Sequence, residues 1–240
     1  MTLTKFGPED IRSDEIAGEA ALTELLASID QAEREYARPQ GSVCLTIASK
    51  QQGSAQLEPL ILAGHRLFGE NRVQEAASKW PDLKSRFPDI ELRLIGPLQT
   101  NKTAQALALF DVIETLDRPS LAESFFKEFA RSSRRPIFYI QVNTGDEPQK
   151  AGVAPARVDE FIKLSRDHYG LDVRGLMCIP PATEQASPHF ALLAQIAKRN
   201  SIYELSMGMS SDYKLAIQLG ATTVRIGSAL FGARKARHLI

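Results

Sequence analysis

Eight short runs of apolar and β-branched residues alternate with longer stretches of helical spacing between residues 43 and 226. No other feature constrains the fold as much. The runs are Val43–Ala48, Arg66–Phe68, Leu92–Ile95, Val112–Thr115, Ile137–Val142, Val173–Met177, Tyr203–Leu205 and Thr223–Ile226. Helical patterns lie between them, for instance over Leu121–Arg131, Ala156–His168 and Pro188–Lys198. Strand followed by helix, repeated eight times, predicts an α/β protein, a single-domain (β/α)8 TIM barrel of parallel strands. An open doubly wound sheet is the alternative, but no G-x-G-x-x-G follows the first run, and eight units suit closure. Ahead of the barrel, Ile16, Leu22, Leu25, Leu26 and Ile29 recur at helical spacing within residues 9–37, and Pro39 and Gly41 end that pattern. The expected division is a helical extension over residues 1–41, packed on a barrel domain over residues 42–240.

A barrel gives function an address, the C-terminal ends of its strands. Composition narrows what can come there. Lys plus Arg equals Asp plus Glu at 29 each, so no global field draws nucleic acid or an anionic membrane. The basic tail Ala233–Ile240 is short and reads as a solvated helix end. Two cysteines, Cys44 and Cys178, each lie in an apolar strand-like run. They are expected as buried free thiols in a reducing compartment, with no disulfide framework and no metal site. The first ten residues lack the apolar core of a signal peptide, and no run approaches the roughly 18 apolar residues of a membrane span. A cytoplasmic monomer with no nucleic-acid or membrane partner is expected.

The run Val43–Ala48 leads through Ser49 to Lys50, which therefore falls just past the first strand, on the functional face. A lysine there is either a soluble strand end or a reactive amine. The other strand ends carry polar and small residues, as an open pocket requires. Ser206–Asp212 (SMGMSSD) places hydroxyls around a glycine just before a helical stretch. Backbone amides at such a start form an anion site; alternatively Ser210 or Ser211 is a plain N-cap. After the eighth strand, Gly227 lets backbone approach a ligand and Ser228 adds a hydroxyl. Paired turns after strands seven and eight are where barrels commonly hold phosphate. A lysine facing a phosphate grip suits a phosphorylated aldehyde held as a Schiff base, since a partly buried site favours the neutral amine. Pyridoxal phosphate meets both demands.

The chain resembles the family of pyridoxal phosphate homeostasis proteins, single-domain barrels akin to the alanine racemase N-terminal domain. The matching segments are Ala48–Lys50, Phe68–Asn71, Ile95–Lys102, Val142 and Asn143 with Glu147, Lys150 and Gly152, Gly175–Met177, Leu205–Asp212, and Val224–Gly232. By that resemblance Lys50 forms the Schiff base with pyridoxal 5′-phosphate. Ser206, Met207, Gly208, Met209 and Ser210 contribute to the phosphate cup, which Gly227 and Ser228 complete. Arg225 matches the arginine facing the pyridine nitrogen, and Met177 and Asn71 match positions lining the pocket. Two departures stand where the family has histidines, Arg93 and Glu114. Both are expected at the pocket edge, away from Lys50, the cup and Arg225.

The resemblance implies a protein of intracellular cofactor homeostasis that stores, buffers or delivers, with apoenzymes as partners. A guanidinium at the pyridine nitrogen acts as a donor only, which weakens the electron sink while leaving the Schiff base intact. The related racemases carry further catalytic residues on a second domain, whereas here the sequence stops at Ile240. Tyr203 or Tyr213 would have to substitute for the missing tyrosine, and Tyr213 is read as a packing residue. A small amino-acid racemase is the rival reading, and a Schiff-base aldolase for sugar phosphates a third. Lys102 and Lys150 read as solvated loop cations, or as attractors of incoming phosphate.

Overall fold

Eight parallel strands close on themselves in sequence order. They are β1 (Cys44–Ala48), β2 (Leu67–Glu70), β3 (Glu91–Leu94), β4 (Val112–Leu116), β5 (Ile137–Val142), β6 (Val173–Cys178), β7 (Glu204–Ser206) and β8 (Thr223–Ile226). Closure comes from β8 against β1, where Leu45 stands opposite Val224 and Ile47 opposite Ile226. The computed structural model describes residues 8–147 and 149–231; the basic tail and the side chain of Ile16 lie outside this description. The expected barrel is borne out, and the open sheet is not formed.

Strand limits differ from the sequence expectation where polar residues are paired by distant partners. The second strand runs on to Glu70, whose carboxylate is fully buried against Lys79 and Trp80. A charged residue reads locally as a strand end, and only tertiary contacts keep it in the sheet. The seventh strand starts at Glu204, leaving Tyr203 81% exposed ahead of it, on the face opposite the strand C-termini.

The outer ring contains α2 (Ser54–Leu62), α3 (Val73–Ala77), α4 (Trp80–Arg86), α5 (Thr103–Leu109), α6 (Pro119–Phe129), α7 (Val158–Lys163), α8 (Ala186–Arg199), α9 (Tyr213–Gln218) and α10 (Ser228–Phe231), with α1 (Pro8–Glu35) ahead of the barrel. Proline in the first turn of α6 preorganises its start. Along α8 the buried Phe190, Leu193, Ile196 and Ala197 form one helical stripe. The stretch expected as one helix over Ala156–His168 is instead a 3₁₀ turn at Pro155–Arg157, then α7, then a π turn at Leu164–His168.

Strand alternation sends Phe68, Leu92, Leu94, Phe138, Ile140, Leu176 and Val224 outward into the layer shared with the helices. There Phe125 meets Phe138 edge to face with ring centroids 4.9 Å apart. Each such buried side chain stabilises the fold by about 1.5–3 kcal/mol. The lumen is different. It holds a small apolar cluster of Val112, Tyr139 and Met177, with Ile137 packed against it, beside buried polar and charged side chains such as Arg93, Glu114, Ser206 and Arg225.

The α1 helix is tied to this ring at its C-terminal half. Leu22, Leu25 and Ile29 are buried, Ser28 Oγ lies 2.9 Å from Tyr213 Oη, and Arg38 donates to the Ile217 carbonyl at 2.9 Å. Fully buried Glu33 accepts from the Gly41 and Val43 amides at 2.8 and 2.7 Å, fixing the chain as it enters β1. One cysteine departs from expectation. Cys178 is buried, but Cys44, the first residue of β1 at the N-terminal rim of the barrel, is exposed.

Candidate functional site

Parallel closure puts all strand C-termini at one mouth, and the turns after β1, β7 and β8 meet there. The turn after β1 carries Lys50, half-buried, between Ser49 and Gln51. Gln51 adopts φ of 64°, the left-handed region, which costs a non-glycine residue about 1–2 kcal/mol. That conformation is stapled from outside. Lys79 Nζ donates to the carbonyls of Ser49 at 2.9 Å and Gln52 at 2.8 Å, one on each side of Lys50. The Gln51 amide donates to Glu75. Lys79 is itself buried and paired with Glu70 at 2.8 Å, and Glu70 also accepts from Ser49 Oγ at 2.5 Å and Trp80 Nε1 at 3.0 Å.

The turn after β8 lies directly against this one. A Cβ on Gly227 would meet the Ala48 carbonyl oxygen at 2.6 Å, so only glycine allows the approach. The neighbouring Ser228 Oγ is 2.8 Å from Ser210 Oγ, which joins the β7 and β8 turns. Gly208, at φ of 94°, turns the chain between them, with its carbonyl accepting from the Arg225 amide at 3.0 Å. Neither Ser210 nor Ser211 is the N-cap of α9; that position is Asp212, whose carboxylate instead accepts from the Met209 amide at 2.6 Å.

The other sequence-selected residues spread over three depths. At the rim, Met209 is 36% exposed and Asn71 is half-buried after β2. In the outer core, the Met207 side chain is fully buried and its amide donates to the Thr223 carbonyl at 3.1 Å. In the lumen lie Met177, Ser206 and Arg225. Arg225 Nη1 donates to Ser206 Oγ at 2.7 Å and Nη2 to the Cys178 carbonyl at 2.9 Å. The Ser206 hydroxyl thus sits below the β7 and β8 turns, bonded inside the barrel. The Cys178 thiol is pushed up to about 12, by burial above all, so it is no nucleophile at neutral pH.

Arg93 and Glu114 are not at the pocket edge. Glu114 is fully buried, bonded to Arg93 at 3.1 Å, and accepts from Ser206 Oγ at 2.6 Å. The oxygen that accepts from Ser206, Oε2, also stands 3.9 Å from Arg225 Nη1, while Arg93 holds Oε1. Because β4 and β7 are not neighbours in the barrel, the Glu114–Ser206 bond must cross the lumen. The expectation that these departures stay clear of Arg225 is therefore corrected. At a neighbouring loop, Lys150 pairs with Glu147 at 2.5 Å, while half-buried Lys102 ends a 3₁₀ turn.

Two tyrosines are the sequence candidates for proton transfer. Tyr213 spends its hydroxyl on Ser28 of α1, as a packing residue would, and Tyr203 lies on the opposite face. No cluster of metal-ligating side chains occurs among the described residues. The donor set at the mouth is one lysine, two paired hydroxyls and glycine backbone, with a guanidinium below. That chemistry fits a group bearing an aldehyde and a phosphate.

The model of the alanine racemase N-terminal domain matches residues 22–235. A pyridoxal phosphate homeostasis protein of Pasteurella multocida is 34% identical over 226 residues, covering 90% of this chain and 97% of that protein. PipY of Synechococcus elongatus, solved with pyridoxal phosphate bound, is 34% identical, with a TM-score of 0.73 over 85% of this chain and all of PipY. The crystal structure of an unknown protein from Bifidobacterium adolescentis superposes with a TM-score of 0.86 at 29% identity, over 91% of this chain and 96% of that one. With the family model matched over residues 22–235 and a relative 34% identical over nearly the whole length of both proteins, this chain belongs to the pyridoxal phosphate homeostasis protein family, within the alanine racemase N-terminal domain group.

Proposed function

We propose that this chain binds pyridoxal 5′-phosphate, holds it as a Schiff base on Lys50, and stores, buffers or delivers it in the cytoplasm without turning over a substrate. The observation that carries the reading is the Ser210–Ser228 hydroxyl pair beside the turn that bears Lys50, in a family named for this cofactor. The lysine nitrogen replaces the aldehyde oxygen, which leaves as water. Gly208, Met209, Ser210, Gly227 and Ser228 hold the phosphate end, with Ser206 and Met207 fixing the base of that turn. Arg225 faces the pyridine nitrogen, and Asn71 and Met177 line the pocket. PLP-dependent apoenzymes are the recipients, met by a monomer, and the free thiols of Cys44 and Cys178 suit a reducing cytoplasm.

Support for a non-catalytic role comes from side chains already engaged elsewhere. The Tyr213 hydroxyl is bonded to α1, Tyr139 to Glu204, and Tyr203 lies at the far end of the barrel. The relatives are named as homeostasis proteins and not as enzymes. Incubating loaded protein with single amino-acid enantiomers in deuterated water tests this. The expected outcome is α-proton exchange no faster than with free cofactor; rapid exchange at low protein concentration would instead make the chain a small racemase-like enzyme.

A further inference from the structure

A continuous chain of charged and polar groups fills the lumen beneath the site. Arg93 Nε pairs with Glu91 at 2.6 Å and Nη1 with Glu114 at 3.1 Å. Glu114 accepts from Ser206, which accepts from Arg225. On the other flank the Arg93 guanidinium lies 5.8 Å from the Tyr139 ring centroid, and Tyr139 donates to Glu204 at 2.5 Å. Burial, the largest single influence, would strip charge from Arg93, but Glu114, Tyr139 and Glu91 together outweigh it, so Arg93 holds its proton more tightly than a free arginine. Burial, above all, keeps Tyr139 protonated as well. Arg93, Glu114 and Arg225 are thus two cations around one anion, each at most 7% exposed.

We propose that Glu114 is a positioning residue for the cofactor: it holds Arg225 and Ser206 in place under the pyridine ring and offsets the charge of Arg225, with Arg93 as its counter-ion. The inference rests on the reading of Arg225 as the group facing the ring nitrogen. Two of the five guanidinium donors are fixed by Ser206 and the Cys178 carbonyl, which sets the direction of the rest. Between Glu114 and Arg225, 3.9 Å apart and shielded from water, the attraction stays strong. Neutralising Glu114 leaves two facing cations in the lumen. Arg225 then presents an unscreened charge to the ring, which disfavours the protonated Schiff base.

The test uses protein loaded with pyridoxal 5′-phosphate, comparing wild type with Glu114→Gln, Arg93→Met and the double variant. The visible band is followed against pH, and retention is measured by equilibrium dialysis. Glu114→Gln is expected to keep a Lys50-dependent band whose loss with rising pH occurs at lower pH, and to retain the cofactor about tenfold less tightly, as removal of a supporting group typically does. The double variant removes one charge of each sign and so restores the net charge of wild type, and its pH midpoint returns towards the wild-type value. A merely structural ion pair gives no such return. An unchanged midpoint and retention in Glu114→Gln, with the band intact, overturns the inference alone. A wild-type band that survives Lys50→Ala overturns the functional reading and this inference with it. Should Glu114→Gln fail to fold, Glu114→Asp withdraws the carboxylate while keeping its charge; weaker retention with an unmoved midpoint is expected, and unaltered retention overturns the role.

Discussion

At the mouth of the barrel, Lys50 depends on a second lysine. Lys79 grips the Ser49 and Gln52 carbonyls, and the residue between Lys50 and Gln52 is held at positive φ. Replacing Lys79 by methionine removes both bonds and leaves fully buried Glu70 without its ion partner. Breaking such a pair from one side costs about 3–5 kcal/mol. Urea unfolding of Lys79→Met should show a loss of that size, and a change under about 1 kcal/mol would refute the clamp. Lys50, Gly227 and Ser228 were legible in the sequence because they lie within two residues of the ends of β1 and β8. Lys79 was not, since the groups it holds beside Lys50 lie 27 and 30 positions away and are backbone carbonyls, which carry no residue signal. Glu114 was legible as a departure, but its crossing of the lumen depends on strand stagger and tilt.

Elements that read cleanly from sequence are those whose stability is local or strongly periodic. Strand β8 matches its expected limits, and α8 runs past the expected Pro188–Lys198 by two residues at the start and one at the end. The helical extension was also expected, but its purpose was not. Helix α1 packs against α2, α9 and α10, and Glu33 near its end closes the entry to β1. In Glu33→Ala the Gly41 and Val43 amides lose their acceptor, a loss of about 2 kcal/mol. A fall in Tm of about 4–8 °C is expected by calorimetry, with cofactor absorbance of the folded protein unchanged. An unaltered Tm would show that water replaces the carboxylate. The π turn after α7 has no local signal, and the broken helix there was missed for that reason.

For the molecule as a whole, eightfold alternation sufficed to predict closure, because a strand-helix repeat of that number leaves few other architectures. It did not predict that the lumen would be charged while the outer layer is apolar. The global response to pH follows from burial of another kind. His65 is partly enclosed, its Nε2 2.8 Å from the Leu67 carbonyl and its ring edge-on to Phe68 at 5.2 Å. Burial, the largest influence, holds its pKa below the ordinary value, so the unfolded chain takes up this proton first as pH falls. Its contribution is therefore fully present above about pH 6.5 and is lost progressively below it. Denaturation at pH 7.5 and 5.5 should show a smaller pH-dependent loss in His65→Gln than in wild type; equal losses would assign the acid sensitivity to other groups.

The amine of Lys50, just past the end of β1, is the group on which cofactor capture depends, and visible absorption after loading with pyridoxal 5′-phosphate and gel filtration tests that role. Wild type is expected to emerge yellow, with the band discharged by borohydride into a stable adduct on Lys50, while Lys50→Ala emerges folded and colourless. A Lys50→Ala protein that keeps the full band would contradict it.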